Sequence, residues 1–349
     1  MALTGSKSLN RSLHAAKKAR ADEFYTQLPD IERELKHYRE HFRGKVVYCN
    51  CDDPRVSNFF HYFSYNFEKL GLKRLITTSY RSQQADLFSQ NDAEQAIWLE
   101  YNGDTNGSGV PDPEEIGIKP LQKDGDFRSP ESIDLLKQSD VVVTNPPFSL
   151  FREYVAQLME HEKKFVVIGP WNAITYKEIF PLIRNNRLWL GYGFQAGNAY
   201  FATPNPADYA AGVYNPETGL VKFRNVTWWT NLDVSKRHEK LVLYKTFKPA
   251  DYPAYDNYEG IEVAKVADIP SDYEGVMGVP ITFLDRYNPE QFEILGITDR
   301  GNEYGLKTKK YAKGDAPNAN DLNRRAAIKL PDGSYKGTFA RLLIKRRPK

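Results

Sequence analysis

Residues 141–151 read VVVTNPPFSLF. Three valines and Thr144 form a run too apolar to alternate, as in a strand buried on both faces. Asn145, Pro146, Pro147 and Phe148 follow at once. A proline has no N–H to give to a ladder, so the strand has to stop there. The fixed φ angles of the two prolines hold the flanking amide and ring in one rigid geometry. A turn needs less than that, so the stretch reads as one built to present something.

Outward from this point, strands alternate with helices. The pattern predicts helices over 130–138 and 149–160 around a central parallel strand at 140–144. Strand KFVVIGP (164–170), a helix over 175–185 and strand RLWLGY follow. Upstream, residues 22–43 open with an extended aromatic entry, then a helix with Ile31, Leu35 and Tyr38 on one face. Residues 45–51 form a short strand ending in Asp52-Asp53-Pro54. Residues 56–70 read as a helix with a stripe of Phe59, Tyr62, Phe63 and Phe67, closed by Gly71. LKRLITTSY is a second strand. The polar stretch of about 81–123, with AIWLEY and a Gly/Asn/Asp-rich patch at 102–109, reads as an insertion. The alternation indicates an open, doubly wound α/β domain. It breaks beyond about residue 250, where Tyr, Pro, Asp and Gly dominate. The expected organisation is a basic arm at 1–21, a catalytic domain at 22–250 and a recognition segment at 251–349.

With 349 residues, 41% of them hydrophobic, a substantial core is available. No apolar run reaches the roughly 18–20 residues needed to span a bilayer, and the N-terminus lacks the apolar region of a secretory signal. Cys49 and Cys51 stand two apart, a spacing that suits neither a disulfide framework nor a four-ligand zinc site. A reducing, cytoplasmic setting is expected, with no metal and no membrane partner. The net charge of +3 is unevenly spread. Residues 1–20 carry five Lys/Arg and no acid, and residues 301–349 carry thirteen Lys/Arg against four acids. Basic ends on an acidic body suit a polyanion.

In an open α/β sheet, ligands bind at the carboxyl ends of the strands. Asn145-Pro146-Pro147-Phe148 leaves such an end. The Asn145 side-chain oxygen and the Pro146 carbonyl can both accept hydrogen bonds from one amino group, which orients its nitrogen and draws off positive charge as it attacks a carbon. The Phe148 ring can stack on the heterocycle bearing that group. The chemistry that fits is alkylation of an exocyclic amine; the plainer reading of an arbitrary Asn-Pro-Pro is a strand-to-turn junction.

The tetrapeptide resembles the signature of S-adenosylmethionine-dependent amino methyltransferases: Asp, Asn or Ser, two prolines, then an aromatic. The chain resembles the EcoRI-type adenine-N6 DNA methyltransferase family over nearly its whole length. The most telling stretches are DEFYTQ (22–27), KVVYCNCDDPRVSNFF (45–60), DGDFRS (124–129) and SDVVVTNPPFSLFREY (139–154). The resemblance implies a Rossmann-like methyltransferase fold and S-adenosyl-L-methionine as cofactor. It places Phe24, Tyr25 and Thr26 beside the cofactor's methionine end, Asn50 and Asp52 at the end of the first strand, and Asp126 and Phe127 around its adenine. The sequence departs from the wider superfamily in two places. CNCDDP has no glycine, and the second strand ends Thr77-Thr78-Ser79-Tyr80 without an acid for the ribose, for which Glu100 could substitute. The second wall of the base pocket has Phe194, Phe201, Trp228 and Trp229 as candidates, with at most one of the adjacent tryptophans facing it.

The motif order resembles the γ arrangement, with target recognition after the catalytic motifs. Arg324, Arg325, Lys345, Arg346 and Arg347 are then candidate DNA contacts. The implied function is a site-specific adenine methyltransferase that turns the base out of duplex DNA. It would be a monomeric modification enzyme, either paired with a separately acting endonuclease or an orphan or phage counterpart. The rivals are an amino methyltransferase acting on RNA or protein glutamine, and a DNA-binding protein whose catalytic core has decayed.

Overall fold

The valine run is a wholly buried strand in the middle of a mixed sheet. The structure, a computed structural model, describes residues 24–51, 57–79, 96–112, 115–203, 213–299, 301–316 and 318–348. The expected arm at 1–21 and Asp52 lie outside them. The chain divides into two units, Met1–Trp171 with Gly191–Leu232 and Asn172–Leu190 with Asp233–Lys349. The division thus falls at Leu232 rather than near residue 250, and residues 172–190 belong with the second unit.

In chain order the first unit contains β1 (Tyr25–Thr26), β2 (Val46–Cys49), β3 (Arg74–Thr78), β4 (Ile97–Tyr101), β5 (Gly117–Pro120), β6 (Val141–Thr144), β7 (Lys164–Pro170), β8 (Ala199–Ala202), β9 (Tyr214–Asn215), β10 (Leu220–Phe223) and β11 (Val226–Thr230). Its central sheet runs in the spatial order β5-β4-β3-β2-β6-β7-β11. The four middle strands are parallel, and β4, β5 and β11 pair antiparallel. This is the expected doubly wound α/β architecture, with a mixed rather than a purely parallel sheet.

Parallel strands need crossovers, and the helices are where the apolar spacing puts them: α1 (Leu28–Leu35), α2 (Asn58–Tyr65), α3 (Pro130–Gln138) and α4 (Phe151–Glu160). Ser57 caps α2 by accepting from Phe59 N, and Ser129 caps α3 by accepting from Ser132 N, with Pro130 at the first helical position. The helix expected over 56–70 is interrupted at Asn66, whose side chain donates to the Tyr62 carbonyl. One more turn follows, and Gly71 ends it in the left-handed conformation, φ 63°.

The strand order fixes where a ligand belongs. From β2 the chain passes to β3 on one side, and β6 lies on the other, so the order reverses between β2 and β6. Crevices at such switch points, at the carboxyl ends, are the binding sites of this architecture. Asn50 follows β2 and Asn145 follows β6. A smaller antiparallel sheet, β1-β8-β10-β9, pairs Thr26 with Phe201 and Phe201 with Val221.

From residue 233 on, the second unit has no βα alternation among the described residues. Beyond Leu232 its strands are β12 (Ile261–Glu262), β13 (Met277–Pro280), β14 (Phe292–Ile297), β15 (Ala327–Lys329), β16 (Tyr335–Gly337) and β17 (Arg341–Arg346). They form a sheet in the order β12-β13-β17-β14 and a hairpin β15-β16. Buried Asn257 serves three main-chain groups, donating to Leu322 O and Arg325 O and accepting from Ala327 N. Among the described residues no helix is long and apolar enough to cross a membrane.

Candidate active site

Asn145 is 6% exposed. Its Nδ2 donates to the Phe24 carbonyl at 2.7 Å, across 121 positions of sequence. That bond sets the orientation of the amide. The nitrogen is occupied, while Oδ1 is buried and has no partner among the described residues. Leaving a buried acceptor unpaired costs about 1–3 kcal/mol, so the site maintains an acceptor for a donor the chain does not supply. Leu150 N bonds the Pro147 carbonyl and closes a short 3₁₀ turn, Phe148–Leu150.

The half-buried Phe148 ring is held in an aromatic cluster. Its centroid lies 5.7 Å from Phe24 with planes 29° apart, 6.4 Å from Phe201 and 6.2 Å from Phe223. Phe201 is therefore the candidate wall residue that reaches the motif. Phe223, 4.7 Å from Phe24, was not legible as one; its only sequence signal is its place two residues after Val221 on the same face of β10. Phe194 packs between Phe201 and Trp228. The two tryptophans of β11 point to opposite faces, Trp228 against Phe59 and Trp229 against Phe151, and both are fully buried. Both pack in the core, as Phe201 does.

On the other side of the switch point, Thr144 Oγ1 donates to the Asn50 carbonyl and Tyr154 Oη donates to Asn50 Oδ1 at 2.5 Å. Cys51 then takes a left-handed φ of 76°, a conformation that favours glycine. Thr26 is 1% exposed with its hydroxyl unpaired among the described residues, and its carbonyl accepts from Asn58 Nδ2 at 2.7 Å. Thr77 Oγ1, near the end of β3, is likewise buried without a partner. Glu100 does not replace the missing acid: it faces Ile76 in mid-strand and is occupied by Arg74 at 3.1 Å and Lys119 at 3.2 Å.

Asp126 holds Arg128 through both carboxylate oxygens, Nε on Oδ1 at 2.8 Å and a terminal nitrogen on Oδ2 at 2.6 Å, and Oδ1 also accepts from Arg128 N. Burial pushes this carboxyl up, but the guanidinium and the backbone N–H outweigh it and hold its pKa below the ordinary value. A carboxylate has about four acceptor positions, so the three bonds from Arg128 leave one. The Phe127 ring meets Tyr154 edge-on at 5.0 Å. Gly125, at φ 75°, packs so tightly that a Cβ there would lie 2.0 Å from the Ser79 carbonyl; the Asp126 turn is thereby set against the end of β3.

Two unpaired threonine hydroxyls, a carboxylate and several rings form a donor and acceptor set that fits an amino-acid nucleoside such as S-adenosylmethionine, and the unpaired Asn145 oxygen is an acceptor for a further donor. Among the described residues no group of three or more His, Cys, Asp or Glu is placed to hold a metal ion.

The profile of the family described as "Adenine-specific methyltransferase EcoRI" matches residues 12–347. The chain belongs to this family. It is 51% identical over 291 residues to the Type II methyltransferase M.EcoRI of Escherichia coli, covering 82% of this chain and 89% of that protein. It is 37% identical over 334 residues to the Type II methyltransferase M.MgeORF184P of Mycoplasma genitalium, covering 90% and 96%. It is also 37% identical over 326 residues to the Type II methyltransferase M.MpnI of Mycoplasma pneumoniae, covering 90% and 95%. No solved structure matches the chain. Membership makes it an adenine-specific methyltransferase, with a methyl donor of the S-adenosylmethionine type and double-stranded DNA as substrate.

In this member of the EcoRI family, the five cations singled out in the second unit differ in their surroundings. Arg325 pairs with Asp299 at 3.2 Å, Arg346 donates to the Ser271 carbonyl and Arg347 Nε donates to the Pro289 carbonyl at 2.7 Å. These three hold the unit's own chain. Arg324, Lys345 and Arg347 are exposed.

Proposed function

We propose that this enzyme turns an adenine out of a specific duplex site and methylates its N6, with Asn145 as the acceptor that orients the amine. The observation that carries the reading is the buried, unpartnered Asn145 Oδ1, held in place through Nδ2 by the Phe24 carbonyl. Extruding the base costs a few kcal/mol, offset by stacking on Phe148 and by hydrogen bonds to the motif. Asn145 Oδ1 and the Pro146 carbonyl accept both N6 hydrogens, which aims the nitrogen and drains positive charge as it forms its new bond. Catalysis by these residues is positioning and electrostatics. S-adenosylmethionine, when bound, supplies a methyl group already activated by its sulfonium.

Phe24, Tyr25, Thr26, Asn50 and Asp52 are assigned to the methionine end of the cofactor, and Asp126 and Phe127 to its adenine. Thr77 Oγ1 takes the place of the missing ribose acid. Gly125→Ala is expected to weaken cofactor binding by about tenfold or more, because strain at a positive φ and the clash with Ser79 displace the Asp126 turn. Calorimetric titration with S-adenosylhomocysteine measures this, and an unchanged Kd would remove the Asp126 turn from the cofactor site.

The second unit, beyond residue 233, is proposed as the target-recognition part, with Arg324 and Lys345 on backbone phosphates. The enzyme is read as a cytoplasmic monomer, the modification partner of a separately acting endonuclease or an orphan counterpart. The test is transfer of labelled methyl from S-adenosylmethionine to unmethylated plasmid, with single-molecule sequencing of the product. N6-methyladenine at one short motif is expected. Incorporation into cytosine, or into adenine without sequence preference, would refute the proposal.

A further inference from the structure

The helix that leaves the Asn-Pro-Pro-Phe motif also reaches back to the cofactor side of the switch point. α4 buries Phe151, Tyr154, Val155 and Leu158 at helical spacing. Phenylalanine would fill the place of Tyr154, which is fully buried; a hydroxyl there is costly unless it is bonded. That hydroxyl donates to the side-chain oxygen of Asn50, 104 positions away in sequence. The carbonyl of the same Asn50 accepts from Thr144, one residue before the catalytic motif. With its oxygen taken by the phenol, the Asn50 amide has its NH₂ group left to meet another acceptor. The Tyr48 phenol, bonded to Thr78 at 3.1 Å, is a second buried hydroxyl beside that amide. One turn further along α4, Gln157 Nε2 donates to the Phe127 carbonyl at 3.1 Å. Segment 144–157 therefore supports both loops assigned to the cofactor, the Asn50 end and the Asp126–Phe127 turn.

We infer that Tyr154 is a positioning residue whose hydroxyl, bonded to Asn50 Oδ1, holds the Asn50 amide with its N–H groups available to the carboxylate of the cofactor's methionine end. The inference rests on the methyltransferase reading above. A phenol serving stability alone needs any acceptor; this one uses the side chain of a motif residue at the switch point. Thr144 and Tyr154 tie that residue to the segment that carries Asn145.

The test compares Tyr154→Phe, Asn50→Ala and the double variant in the full chain. Calorimetric titration with S-adenosylhomocysteine, thermal unfolding and steady-state kinetics on plasmid are the readouts. Tyr154→Phe keeps the ring and its packing, so its Tm should stay close to that of the unsubstituted protein. Its Kd for S-adenosylhomocysteine and KM for S-adenosylmethionine should rise by about tenfold, the loss of one oriented hydrogen bond, while kcat is nearly unchanged. In the double variant the Kd should be no weaker than in Asn50→Ala alone, because residues acting through one contact are not additive. An unchanged Kd, additive losses, or failure of Tyr154→Phe to fold overturns the inference in favour of a structural tyrosine. If the unsubstituted protein binds the cofactor and methylates DNA, such a result leaves the methyltransferase reading standing. If it does neither, that reading fails and the inference with it.

Discussion

Asn145→Ala is expected to lower kcat for methyl transfer by about 10²–10³-fold, the range found when one preorganised hydrogen-bonding group is removed from a developing charge. Cofactor affinity should hardly move, because Asn145 is assigned to the amine rather than to the methionine or adenine ends. The size of the effect follows from orientation. Nδ2 is fixed on the Phe24 carbonyl, so Oδ1 needs no reorganisation when an amino group arrives. Alanine removes the acceptor together with the bond to the Phe24 carbonyl. Single-turnover methylation at saturating cofactor, paired with titration of S-adenosylhomocysteine, separates the two effects. Turnover within a few-fold of the unsubstituted enzyme would remove Asn145 from the chemistry; a large loss of cofactor binding would reassign it to the donor side.

Glu34→Ala is expected to destabilise the protein by about 4 kcal/mol, through several buried donors left without an acceptor, which for a unit of this size is a fall in Tm of roughly 10 °C. Glu34 is fully buried. Its carboxylate accepts from Tyr38 Oη at 2.8 Å, Tyr192 N at 2.8 Å and Gly193 N at 2.9 Å. The neighbouring Gly191 is so close that a Cβ there would lie 2.1 Å from Glu34 Oε1. Burial, then the Glu34 charge, pushes the Tyr38 phenol well above its ordinary pKa, so it remains a donor. The segment that Glu34 pins leads directly to Phe194 and to Phe201 in β8. Activity should therefore fall along with stability. Glu34→Gln keeps the volume but sets an NH₂ group against a main-chain donor, and should fall between the two. Circular-dichroism melting of the three proteins decides it; a Tm for Glu34→Ala matching the unsubstituted protein would show that solvent or another group satisfies those donors.

Much of the first unit was legible because local rules agree with its final environment. The spacing of Ile31, Leu35 and Tyr38 is the buried face of α1 and its continuation, and the stripe at 59–63 is the buried face of α2. Strand KFVVIGP and helix 130–138 have the boundaries the pattern predicts. Periodicity fails where a polar residue sits on a buried face. Glu34 and Tyr154 carry no local signal of their roles, because their partners, Tyr192 and Asn50, come from distant parts of the chain. It also fails where a residue's partners come from elsewhere in the chain. Glu100 looked available until Arg74 and Lys119 flanked it, and Phe223 looked ordinary until its strand was paired beside Phe201. Residues 172–190 continue the alternation on paper, yet Arg184 bonds the Leu295 carbonyl and its guanidinium lies over the Tyr304 ring, contacts that place them in the second unit.

By itself, the sequence determined the alternation of strands and helices, the strand that ends at Asn145-Pro146-Pro147-Phe148, and the family. Each of these depends on propensity, spacing or a short motif, which are properties of neighbours in the chain. Only the tertiary structure decided which way the Asn145 amide points, which rings surround Phe148, and which of the polar residues at the strand ends are already occupied. Those depend on hydrogen bonds and packing across 94 to 159 positions of sequence. Such contacts exist only after the sheet has closed.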